Sequence, residues 1–134
     1  DIGRHRARLS GPLLDRIDLQ VVLAPALPAA LLGDQDGEPS AAVAERVAAA
    51  RAAAAARWGA TNAGVPARTL RDPRFRLPKA VSAPVAKDLD RGLLSARGHD
   101  RVVRVAWTMS DLDGRPCPDL ADICEALDLR RGTR

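Results

Sequence analysis

Apolar positions recur along this chain with a helical period over most of its length and with a strand-like run in only one place. Between residues 40 and 58, Val43, Val47 and Trp58, with Ala50 and Ala54 between them, share one face of a long alanine-rich helix. Ser40 suits its N-cap, and Gly59 stands where a helix stops. A shorter helix is expected from Pro84, which a first turn tolerates, to Gly92. The clearest pattern follows Ser95, a capping residue. Val102, Val105, Ala106, Met109 and Leu112 form a stripe at helical spacing, ended by Gly114 and Pro116. A last helix begins at Pro118 and turns Leu120, Ile123, Cys124 and Leu127 inward before the chain frays over 129–134.

Ahead of these helices, the run from Ser10 to Leu19 reads as a short helical turn that ends at Arg16 and feeds an apolar strand over 19–24. One strand cannot satisfy its own backbone donors and acceptors, so its sheet is expected upstream of Asp1. The pattern thus predicts a mainly α chain: a stub over 1–24 carrying one short strand, a linker over 25–39 rich in Pro, Gly and Asp, and a bundle of about four helices over 40–130. Residues 60–78 form an irregular basic connector with Arg68, Arg71, Arg74 and Arg76.

Composition alters this picture in two ways. The hydrophobic share is 46%, but much of it is alanine and aromatics are 2%, Trp58, Trp107 and Phe75. At about 25 cal/mol per Å² of buried apolar surface, such a core is thin, and Leu and Val contacts between helices must carry it. The net charge is +4, and the basic residues are nearly all arginine, with lysine only at 79 and 87. Arginine suits phosphate recognition. A GC-rich coding bias that inflates Ala, Arg and Gly together accounts for the same excess, and the arginines are interleaved with Asp and Glu.

The motifs exclude more than they assign. No Gly-x-x-x-x-Gly-Lys-Ser/Thr loop is present, and no strand ends in paired carboxylates. Cys117 and Cys124 lie seven apart, far from His5 and His99, which is no zinc spacing; free, partly buried thiols and no bound metal are expected. His99 has no partner pattern for hydrolytic catalysis. No apolar run reaches the roughly 20 residues of a membrane span and no signal peptide opens the chain, so a cytosolic protein without membrane contact is expected.

Two arginines remain as candidate sites. Arg16 stands at a helix-to-strand junction, held by structure on both sides, which suits a cation that reaches a neighbour's phosphate. The alternative is a local salt bridge to Asp15 or Asp18. Arg97 lies in the first turn of the Ser95-capped helix, where a cation opposes the helix dipole at a cost of about 0.3–1 kcal/mol. Arg101 and Arg104 share its face, and Asp100 and Asp111 are the expected partners of Arg101.

The segment Arg8-Leu9-Ser10-Gly11-Pro12-Leu13-Leu14-Asp15-Arg16-Ile17-Asp18-Leu19 resembles the arginine-finger region of magnesium-chelatase-like AAA+ ATPases of the ComM/YifB type. Leu94-Ser95-Ala96-Arg97-Gly98 with the helix from Arg101 to Leu112 resembles their sensor-2 helix, Gly37 to Arg51 the start of their lid, and Pro118 to Leu127 its closing helix. Trp107 stands where family members usually carry arginine, and 65–83 matches poorly. The resemblance implies that 1–24 is the end of an AAA+ α/β core and 40–130 its helical lid. It implies that Arg16 is a finger acting in trans and Arg97 the sensor-2 arginine on nucleotide phosphate. It also implies ATP and Mg²⁺ as cofactors of a longer parent, none held tightly by this chain alone. The parent would assemble as a ring, expected to be a hexamer, and act on DNA in branch migration during transformation. The alternatives are a helical DNA- or partner-binding module without ATPase role, and a lid that serves only oligomerisation.

Overall fold

The computed structural model describes residues 11–25 and 37–132. The expectations for 1–10, for most of the linker (26–36) and for the last two residues lie outside the described residues. Six α-helices are present among those described: α1 (Gly11–Leu14), α2 (Ser40–Trp58), α3 (Ala67–Leu70), α4 (Lys79–Asp90), α5 (Ala96–Leu112) and α6 (Leu120–Arg131). Two 3₁₀ turns, Asn62–Gly64 and Pro73–Phe75, flank α3 in the connector. The chain is a small helical bundle in which α5 is the central element, packed against α6, α2 and α4.

The helix ends follow from local chemistry. Pro39 precedes α2 as its N-cap, so Ser40 is the first helical residue rather than the cap, and Gly59 closes it with φ of 71° in the left-handed region that glycine adopts freely. Ser95 caps α5, its hydroxyl accepting from the Gly98 N–H. Asp119 and Asp122 form a reciprocal capping box on α6, which starts at Leu120 and reaches Arg131 instead of fraying from 129.

Three expectations are corrected. The shorter helix expected from Pro84 starts at Lys79, after Pro78, and carries Pro84 inside it. Pro84 has no N–H to donate to the Ala80 carbonyl, and Ala80 is exposed, so the helix loses that bond on its solvent side. The buried stripe of α5 is rotated from the predicted one. Val102 and Ala106 are buried as expected, but Val103, Trp107, Ser110 and Asp111 join them, while Val105 and Met109 are half-buried and Leu112 is exposed. On α6, Ile123, Ala126 and Leu127 face the core, whereas Leu120 and Cys124 are exposed; Cys117 is exposed as well. The last turns of α6 bury aliphatic groups against α5, and the thiols are left to solvent.

The core joins Val65, Leu70 and Leu77 of the connector region with Val85, Val102, Ile123 and Leu127 of the helices. Alanine-rich α2 contributes only Ala50 and Ala54 fully, and is fastened at its end by a polar and aromatic cluster. Arg57 forms an ion pair with Asp111, whose side chain is wholly buried. Asn62 donates to Asp111 at 2.7 Å and accepts from the Trp58 indole N–H at 2.6 Å. The Arg57 guanidinium stacks over the Trp107 ring, 4.1 Å from its centre, and Trp58 meets Trp107 edge to face at 5.3 Å.

No strand forms at 19–24. Residues 19–25 carry no regular secondary structure, and Leu19, Val21, Val22 and Leu23 are exposed. No strand exists among the described residues to pair with them, and the Gln20 N–H donates to the Leu129 carbonyl of α6.

Candidate functional site

Arg16 sits in the turn that closes α1. Its N–H donates to the Leu13 carbonyl at 3.0 Å, and the Ile17 N–H donates to Leu14 at 3.1 Å. Its side chain is exposed and bonds to no other described residue. The alternative, a local salt bridge, is absent because both neighbouring carboxylates are engaged elsewhere: Asp15 pairs with Arg130 at 2.6 Å, and Asp18 pairs with Arg101. Arg101 therefore has neither of the partners expected for it. Asp100 goes to Arg71 at 2.9 Å, with His99 half-buried beside it, and Asp111 goes to Arg57.

Arg97 is the second residue of α5, exposed, and likewise bonded to no other described residue. Arg104, on the same helix, turns inward and donates twice to the Val65 carbonyl, at 2.9 and 3.2 Å. The two candidate arginines do not bond to each other, yet their segments meet. The Ser95 hydroxyl that caps α5 also donates to the Asp15 carboxylate at 3.2 Å. A Cβ at Gly98 would lie 2.7 Å from the Leu94 side chain, which would have to shift to admit one.

The turn is attached to the bundle through polar groups. The Arg130 guanidinium donates to the Ile17 carbonyl at 2.5 Å and to the Asp15 carbonyl at 3.2 Å, and the Gln20 amide donates to the Arg130 carbonyl at 2.8 Å. A cleft of about 450 Å³ lies between turn and bundle, lined by Leu14, Asp15, Ser95, Leu127 and Arg130 among others. Sequence reasoning missed Arg130; its separation of more than 110 residues from the turn leaves no periodic signal.

Other charges are spent on structure. Arg115 ties Asp113, Asp119 and Asp122 across the α5–α6 loop. Burial pushes the Asp122 carboxyl up, but hydrogen bonds from Arg115 and the Asp119 N–H outweigh it and hold it below the ordinary carboxylate range. In the connector, the Arg74 side chain and N–H hold Asp72 down at about 2. Arg71 and Arg74 are thus paired, while Arg68 and Arg76 are exposed. Partial burial pushes the Cys117 thiol up, against the pull of Arg57. Among the described residues, no group of three His, Cys, Asp or Glu could hold a metal ion, and no helix is long and apolar enough to cross a membrane.

Residues 37–130 match the family described as magnesium chelatase, subunit ChlI C-terminal. An uncharacterized protein of Mycobacterium bovis and uncharacterized proteins of two Mycobacterium tuberculosis strains are each 46% identical to this chain over 132 residues, covering 96% of it. The chain spans about a quarter (26%) of the length of these relatives.

Proposed function

From the premise that this chain belongs to the magnesium chelatase subunit ChlI C-terminal family, we propose that it is the lid and finger-bearing end of a ring-forming AAA+ ATPase of the ComM/YifB type. The observation that carries this reading is the exposed Arg16, which is bonded to no described residue although carboxylates stand one and two positions away. A guanidinium next to two carboxylates ordinarily pairs with one of them for about 0–1 kcal/mol. Here both are drawn off by arginines of the bundle, which leaves Arg16 available to an anion outside the chain.

In this reading Arg16 reaches the γ-phosphate of ATP held by the neighbouring subunit and stabilises the charge that spreads over its oxygens during hydrolysis. Arg97 contacts the phosphates of the nucleotide bound by its own subunit. Two exposed guanidiniums fit phosphate ligands; the phosphate cradle and the ligands of Mg²⁺ belong upstream of Asp1. The parent works in the cytoplasm as a hexameric motor on DNA, where lid movement on hydrolysis drives branch migration.

Steady-state ATP hydrolysis by the full-length parent tests the reading. Arg16→Ala is expected to lower kcat by about 10³–10⁵-fold while ATP binding is retained. Arg97→Ala is expected to weaken nucleotide binding about 10–100-fold, as the loss of a charged hydrogen bond does. Turnover unchanged by Arg16→Ala overturns the finger assignment.

A further inference from the structure

We propose that Arg130, at the far end of the chain, is the positioning residue of the Arg16 finger. It thereby acts on the nucleotide site of the adjacent subunit rather than on that of its own. The inference rests on the reading of Arg16 given above and adds a second residue to it. A finger works only if its guanidinium arrives at a fixed place, and a side chain is no better placed than the backbone that carries it. The backbone around Arg16 is gripped on both sides by one group. Arg130 donates to the carbonyl of Asp15 and to the carbonyl of Ile17, the residues immediately before and after Arg16.

Three features make this grip specific. The Asp15 carboxylate adds an ion pair at 2.6 Å to the same guanidinium, which at 11% side-chain exposure is largely shielded from water. The planar fork of arginine can serve several acceptors at once, which a lysine ammonium on a flexible stem does not reproduce. Arg130 is itself fixed, because it lies in the last turn of α6 and its carbonyl accepts from Gln20. The grip also draws Asp15 away from Arg16. It therefore orients the finger and frees it with the same contacts.

The experiment uses full-length rings and three variants assayed alone and in equimolar mixtures. Arg130→Met is expected to bind ATP with unchanged affinity and to melt as a folded protein. Its kcat is expected to fall about 10–100-fold, the penalty of a finger misplaced by about 1 Å. Mixing assigns the side on which it acts. Rings combining Arg130→Met with Arg97→Ala, assayed at ATP well below the KM of the Arg97 variant, contain interfaces where an intact finger meets an intact sensor. They recover about a quarter of wild-type activity, the share of such interfaces in a random ring. Rings combining Arg130→Met with Arg16→Ala recover nothing, since both subunits lack a working finger.

The reverse pattern, rescue by Arg16→Ala and none by Arg97→Ala, overturns the proposal and places Arg130 with the subunit's own lid. So does a kcat left at the wild-type level. If Arg130→Met fails to fold, Arg130→Lys takes its place, with a partial fall in kcat and the same mixing pattern expected. Failure of the underlying reading looks different: Arg16→Ala alone then leaves turnover intact, whatever Arg130 does.

Discussion

At the scale of single residues, the ion pair of Arg57 with Asp111 is largely shielded from water on both sides. Asp111 is sealed under Arg57, Asn62 and the tryptophans. Asp111→Ala is expected to cost about 3–5 kcal/mol, because it strands a half-buried guanidinium. Replacing both partners, as Arg57→Met with Asp111→Leu, is expected to recover most of that loss. Urea denaturation of the two variants checks both. Asp122 carries a pH dependence. Its carboxyl titrates lower in the folded chain than its ordinary value near about 4, so its stabilisation is complete above that value and fades as pH falls through the folded one. Melting temperature followed from pH 7 downward is expected to fall less steeply below about pH 4 in Asp122→Asn than in the wild-type chain.

At the scale of elements, ends were more legible than faces. Gly59 ends α2 on local grounds and Ser95 caps α5, whereas Ser40, cap-like in type, is the first residue of α2 and Pro39 holds the cap position. The start of α4 was not legible, because Pro78 and Pro84 compete for the role and the interior one is accommodated next to an exposed Ala80. The stripe on α5 was misread for a different reason. Asp100 and Asp111 are buried against Arg71, Arg57 and Asn62 from elsewhere in the chain, and a polar residue carries no sign of such a partner in its own spacing. The capping box on α6 offers a direct check of end chemistry. Asp119→Ala is expected to cost about 1 kcal/mol in thermal or urea unfolding.

At the scale of the molecule, the site divides in the same way. The turn holding Arg16 could be read from its own residues, whereas Arg130, Ser95 and Arg101, which hold or free it, could not, since they come from the far half of the chain. The connector also reads differently when folded, with Arg71 and Arg74 committed to carboxylates. Binding of this chain to duplex DNA is therefore expected to be weak. Its log–log salt slope should lie near about −2, the value for contacts by Arg68 and Arg76 alone. A DNA-binding module using all four arginines would approach about −4, and a titration from low to moderate salt separates the two.

The cluster that fastens α2 to α5 also has a spectroscopic consequence. Trp58 and Trp107 are the only tryptophans in the chain, tyrosine is absent, and the two indoles touch. Intrinsic emission is therefore a label-free probe of one seam, with Arg57 lying against both rings. Release of the turn at Arg16 from α6 happens at the other end of the bundle and should leave that signal dark. A change in the emission of this chain would therefore report the lid itself changing shape, not the finger moving over it.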